Sequence, residues 1–135
     1  MKKRKPTLKR LGEYAEVCFM QQCLARDISV THPYGDSDPF DNITAYRGKK
    51  SAIQVRSAWR LYKKGDRYSI SGRFMKNRYY TSADIDFLAV FVVPCNAWYI
   101  IPVHEIRRCK SLQMIPHRPS RSRFEKYREA WHLLM

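Results

Sequence analysis

The chain has 135 residues, enough for one buried core and too few for two, so a two-domain architecture is excluded. It carries 26 Lys and Arg against 12 Asp and Glu, a formal charge of +14, and its 44% hydrophobic and 13% aromatic content excludes a disordered polycation. A folded domain this basic is matched to a large polyanion, nucleic acid before an anionic membrane face, and not to small anionic metabolites.

Residues 1–7 form a basic tail containing Lys2, Lys3, Arg4 and Lys5. No continuous apolar stretch or small-residue cleavage site follows it, so it does not read as a signal peptide, and a single domain is expected over 8–135. Leu8, Leu11, Ala15, Cys18 and Phe19 then recur at helical spacing. They predict an amphipathic helix from residue 8 to about 26, with Thr7 as its N-cap and Gly12, Glu13, Glu16 and Met20 on the other face. Cys18 and Cys23 have a tolerable zinc-ligand spacing, with His104 an imaginable partner. Buried thiols are the commoner outcome for cysteines on an apolar face, and all four cysteines are expected to be reduced.

Ile28 to Thr31 predicts a short strand, followed by a turn-rich loop from His32 to Pro39. Phe40–Tyr46 and Ser51–Arg56 are strand-like and joined by Arg47-Gly48-Lys49-Lys50, a natural hairpin connection. In the second of these, Ile53 and Val55 point one way and Gln54 and Arg56 the other. Residues 58–80 are polar, basic and aromatic, with another short strand expected at Arg67–Ser71. Thr81 to Asp86 suits a capped turn leading into Phe87–Val93, an apolar run that fits a strand buried on both faces. That run is too short to span a membrane, which needs roughly 18 to 20 apolar residues, so a cytoplasmic location is expected. Trp98–Ile101 is its hairpin partner, with Trp98, Tyr99 and Trp131 in the core. After Pro116 and Pro119, the spacing of Phe124, Tyr127, Trp131 and Leu134 predicts a terminal helix over 121–134.

Charge is unevenly placed along these elements. Six cations lie in the first ten positions, eight between Arg56 and Arg78, and eight from Arg107 to Arg128, whereas six of the 12 acids fall between Glu13 and Asp41. An acidic centre framed by basic segments suits metal-dependent nuclease chemistry, with cations on phosphates and carboxylates on the metal. Taken singly, the residues have ordinary readings: Glu16 a solvated helix glutamate with Glu13 as its rival, Asp41 a loop cap, Gln54 a satisfied strand residue, Arg56 a surface cation. Taken together, two antiparallel strands can set Asp41 beside Gln54 and Arg56, with Glu16 above them on the packed helix. The oxygens of Glu16, Asp41, Gln54 and the Val55 carbonyl then suit a hard cation such as Mg2+.

Leu11–Glu16, Pro33–Asp36, Phe40-Asp41, Ile53-Gln54-Val55-Arg56, Asp86–Phe91, Trp98–Pro102 and Tyr127–Leu134 form an ordered set. In order and spacing it resembles the PD-(D/E)xK nuclease superfamily, and most closely its group I intron-associated homing endonucleases, in which Gln replaces the acid of the triplet. Archaeal Holliday-junction resolvases share a similar order of elements and cut branched DNA. The resemblance implies an α/β restriction-endonuclease-like core, a mixed central sheet flanked by helices, divalent-metal chemistry with Mg2+ (Mn2+ as substitute), and double-stranded DNA as substrate. By position it makes Glu16 the helix carboxylate, Asp41 the central metal ligand, Gln54 the neutral ligand and Arg56 the cationic position, where the family normally has Lys. Arg does not release its proton and carries its charge farther out, so a DNA-binding protein with attenuated catalysis is the competing expectation. DNA contacts are expected from Lys63, Lys64, Arg67, Arg73, Lys76 and Arg78 among interleaved aromatics. Because one such site cuts one strand, a homodimer or higher symmetric assembly is expected.

Overall fold

The computed structural model of the chain describes residues 3–35, 37–62 and 66–135. The first helix, α1 (Leu8–Leu24), begins where Thr7 caps it, the hydroxyl accepting from the Arg10 amide at 3.2 Å. Its buried residues Ala15, Phe19 and Cys23 follow the four-residue spacing of one helix face. Three antiparallel strands come next: β1 (Ser29–Thr31), β2 (Asn42–Tyr46) and β3 (Lys49–Ala58). The β2–β3 connection is only Arg47-Gly48, both with positive φ (45° and 86°), the backbone of a tight hairpin turn that suits glycine at its second position.

The basic and aromatic stretch resolves into β4 (Tyr68–Ser71) and a small hairpin of β5 (Arg73–Met75) and β6 (Arg78–Tyr79). The chain returns as β7 (Phe87–Val92), pairs with β3 in parallel, and turns back as antiparallel β8 (Ala97–Pro102). The resulting five-stranded mixed sheet has the order β1-β2-β3-β7-β8, and β9 (Ser111–Met114) pairs separately with β4. β7 is buried on both faces, as its uninterrupted apolar run requires.

The two faces of the sheet bury different cores. On one side Ile53, Val55, Ala89, Phe91, Trp98 and Ile100 pack against α1. Phe91 and Trp98 stack there with centroids 4.4 Å apart, and Trp131 closes on Trp98 at 5.6 Å. On the other side Leu88, Val90, Tyr99 and Ile101 are covered by Tyr68 and Ile70 of β4, Leu112 and Met114 of β9, and Phe124.

The terminal helix predicted over 121–134 does not form. The segment instead makes 3-10 turns at Pro119–Arg121, Glu125–Tyr127 and Trp131–Leu134. The cause is the free edge of β8, whose backbone needs partners more than the segment needs helical bonds. The Glu129 amide donates to the Trp98 carbonyl at 2.7 Å, the Glu129 carboxylate accepts from the Trp98 amide at 2.9 Å, and Arg128 bridges Tyr99. Glu129 adopts a positive φ of 53° to do so, which no α-helix tolerates. The helical spacing of apolar residues was therefore coincidental: Phe124 enters one core while Trp131 and Leu134 enter the other.

Candidate active site

The site forms where β2 parts from β3. Asp41 is the last residue before β2, and its amide donates to the Ile53 carbonyl at 2.8 Å. Beyond this point β3 runs on through Ala58 without β2 beside it. The Asp41 carboxylate takes the place of the missing strand: Oδ2 accepts from the Val55 amide at 2.9 Å and from Gln54 Nε2 at 2.8 Å. One carboxylate oxygen thus satisfies a strand amide and orients a neighbouring side chain.

Lys9, Gly12, Glu13 and Glu16 of α1 face this gap across a cavity of about 500 Å³, whose other walls include Asp41, Gln54, Val55 and Arg56. Their spacing of three to four residues places them on a common helix face. Glu16 is half-buried and its carboxyl is raised from 4.5 to about 7, first by desolvation, then by the charge of Asp41 and a hydrogen bond with it. His32 acts in the opposite direction, and Glu13 adds to the rise. Glu13, the rival by sequence, lines the same cavity but pairs with Arg10 at 3.1 Å.

Arg56 points from the same strand toward the opposite flank. Its Nη2 donates to the Tyr80 hydroxyl at 2.7 Å and to the Arg73 carbonyl at 3.4 Å, while its Nε is buried without a partner among the described residues. The fully buried Tyr80 phenol is raised by desolvation, an effect that the Arg56 charge opposes and Asp41 reinforces. Asp86 braces the strand from its other edge, with Oδ2 accepting from the Ala52 amide at 2.7 Å. Asp84, in turn, closes the 81–84 turn through the Thr81 amide at 2.9 Å.

The structure therefore brings Glu16, Asp41, Gln54, Val55 and Arg56 to one cavity. Of the residues expected on DNA, Arg73 and Lys76 line an adjacent concavity with Arg56, whereas Arg67 and Arg78 are paired with Asp66 and Asp84 at 2.9 and 2.8 Å. Lys63 and Lys64, like Asp36, lie outside the described residues. Sequence reasoning missed His32 and Lys9 as cavity residues and Tyr80 as the partner of Arg56. Lys9 was readable from its seven-residue spacing to Glu16 on the helix; no short-range signal marked Tyr80.

Among the described residues no three His, Cys, Asp or Glu side chains form a metal-holding group. A cation here would draw on a mixed set: two carboxylates, an amide oxygen and a backbone carbonyl. These are hard oxygen donors, and the raised Glu16 carboxyl marks a place where a positive charge is wanted.

No curated protein matches the chain. Among solved structures it is similar to the bacterial homing endonuclease I-Ssp6803I, with a TM-score of 0.82 and 26% identity over 95% of this chain and 93% of that one. The family model for PD-(D/E)XK endonucleases matches residues 7–134, from the cap of α1 to the last turn. A mixed sheet whose second and third strands part around an aspartate, with a helix glutamate opposite, is thus carried by a chain that belongs to the PD-(D/E)XK endonuclease family.

Proposed function

We propose that this protein is a divalent-metal-dependent endonuclease that hydrolyses phosphodiester bonds in double-stranded DNA, in the manner of a homing endonuclease. The observation that carries the reading is the convergence of Glu16 and Asp41 on the Gln54-Val55 segment in a single open cavity. Glu16, Asp41, the Gln54 amide oxygen and the Val55 carbonyl would hold the cation, Mg2+ by the hardness of these donors, with Mn2+ as a substitute. Bound there, it supplies charge to a non-bridging phosphate oxygen, acidity to the attacking water and stabilisation to the leaving oxygen.

The protein's own contributions follow from its bonds. Asp41 locks the exit of β3 through the Val55 amide and so holds the peptide unit that leads to the Val55 carbonyl. Gln54 turns its nitrogen to Asp41, and rotation about the last side-chain bond brings its oxygen to the same place without moving the strand. Arg56 carries a permanent charge that offsets the crowded phosphate of the transition state.

A second reading has its own observation. Arg56 is held on Tyr80 and cannot give up a proton, so where the family cation must activate water this chain would bind DNA and turn over slowly. Both readings are tested by incubating supercoiled plasmid with the protein, with and without Mg2+ or Mn2+. Nicking that needs the cation supports the enzyme; persistent gel shifts without nicking at any ratio reject it. Asp41→Ala is expected to lower cleavage at least ~100-fold while leaving binding largely intact. Cleavage by Arg56→Lys where the native protein shows none selects the binding-only reading. Since one site cuts one strand, a double-strand break would require two copies, and we place the working form as a symmetric homodimer or larger assembly, to be read by sedimentation with and without duplex DNA.

A further inference from the structure

The cations between Arg56 and Lys110 are not equivalent. Arg67 and Arg78 are neutralised by adjacent carboxylates, but Arg56, Arg73, Lys76 and Lys110 form no ion pair among the described residues. These four line one concavity of about 410 Å³ that has no carboxylate in its walls. Arg56 lines both this concavity and the cavity of Glu16 and Asp41, so the two adjoin at its side chain.

The backbone builds this concentration of charge deliberately. Strand β4 pairs with β9 up to Ser71 and Ser111, and the next amide, that of Gly72, donates to the Lys110 carbonyl at 3.1 Å. Residue 72 has to be glycine, because a Cβ there would run into the Cys109 carbonyl and lie 2.8 Å from Leu112 Cδ1. This close approach sets Arg73 and Lys110 beside each other from positions far apart in sequence. The guanidinium groups are then oriented by neutral acceptors alone: Arg56 by the Tyr80 hydroxyl, Arg73 by the Lys76 carbonyl at 2.7 Å. The Nε atoms of both arginines are buried without partners among the described residues. Four like charges without an ion pair are a cost that a bound anion relieves.

We propose that this concavity is a second phosphate subsite, holding the phosphodiester next to the one being cut, with Arg56 shared between the two. The inference rests on the nuclease reading and extends it to residues beyond the metal-holding set, Lys110 above all. Its ligand is one phosphate of a nucleic-acid strand: Lys76 and Lys110 are exposed point charges on an open surface, suited to a backbone that passes over it.

The test measures binding of a short duplex oligonucleotide across a salt series, together with plasmid nicking, for the full chain and for Lys76→Ala, Lys110→Ala and Arg73→Lys. Lys50→Ala, an exposed cation of the β2–β3 hairpin, is the control. Lys76→Ala and Lys110→Ala are each expected to lower the slope of log affinity against log salt by about 0.9 and to weaken binding several-fold, while Arg73→Lys keeps the slope and Lys50→Ala changes nothing. The loss of slope with Lys110→Ala should persist in the Asp41→Ala background, where cutting is expected to be at least ~100-fold lower. If neither lysine variant differs from the control while the native protein still nicks plasmid, the subsite is wrong and the nuclease reading stands. If the native protein neither binds nor nicks DNA, both fail together.

Discussion

The role proposed for Glu16 sets function against stability at a single carboxyl. Its value in the folded chain, about 7, lies above its ordinary 4.5, so its contribution to stability is fully present below about pH 4.5 and is lost as pH rises through 7. Glu16→Gln removes the charge and keeps the shape. In chelator the variant should match the native protein at about pH 4 and exceed it at about pH 8 by about 1 kcal/mol, a figure discounted for the solvent that screens this half-exposed group. Thermal melts at the two pH values check this, and equal melting at pH 8 would show that Asp41 and burial do not act on Glu16. Added divalent cation should shrink or reverse the difference, because it binds only the native carboxylate pair. The residues that the sequence made legible are those whose roles depend on neighbours close in the chain: Asp41, Gln54 and Arg56 sit on one hairpin, and Glu16 on the helix that packs over it. Tyr80 and Lys110 were not legible, because their positions are set by the crossover after β3 and by the approach at Gly72.

Among the elements, those with a consistent solvent side or none were readable in advance. Strand β3 alternates from Ser51 to Val55, β7 is apolar throughout, and α1 repeats every four residues. Strands β5, β6 and β9 were not, whereas β1 and β4, equally short, were: those two segments carry the β-branched or aromatic residues Ile28 and Val30, or Tyr68 and Ile70, in alternation, and β5, β6 and β9 are defined by their pairing partners instead. The terminal segment misled for a related reason, since its backbone answers to the edge of β8. Helix α1 carries a compromise of its own. Gly12 lies in its interior, where glycine costs about 0.5–1 kcal/mol relative to alanine, and a Cβ there would meet nothing within 4 Å. Its side borders the cavity of Glu16 and Asp41. Gly12→Ala should therefore raise the melting temperature by about 2–5 °C while slowing cleavage as the methyl enters the cavity mouth. Calorimetry and the plasmid assay read the two effects separately, and a stabilised variant with undiminished cleavage would show that the cavity needs no room at that point.

At the scale of the whole molecule, the charge of +14 becomes a pattern of matched and unmatched cations. Arg10, Arg67, Arg78 and Arg128 are tied to local carboxylates, and four cations without an ion pair among the described residues, Arg56, Arg73, Lys76 and Lys110, line a concavity beside the carboxylates of the cavity. A strand of DNA would thus meet positive surface up to the edge of an acidic cleft, the arrangement that guides a backbone to a metal. The parallel pairing of β3 with β7 has a further consequence, in time rather than in space. Every other pairing in the main sheet joins strands that follow one another in the chain, whereas β3 meets β7 only after the 59–86 connection has closed. The hairpins β2–β3 and β7–β8 are local and inexpensive to form, so the slow event in folding should be their docking along Ile53–Ala58 and Phe87–Val92. All the proposed metal ligands lie on the N-terminal side of that step. Conservative truncations in β7 should consequently slow refolding, while truncations in the 119–134 segment that covers β8 should chiefly speed unfolding, a contrast that stopped-flow fluorescence can follow through Trp98. Until the two hairpins dock, β3 has an unpaired edge and α1 lacks the β7–β8 residues it packs on, so the nascent chain is at its most exposed to association with its own copies.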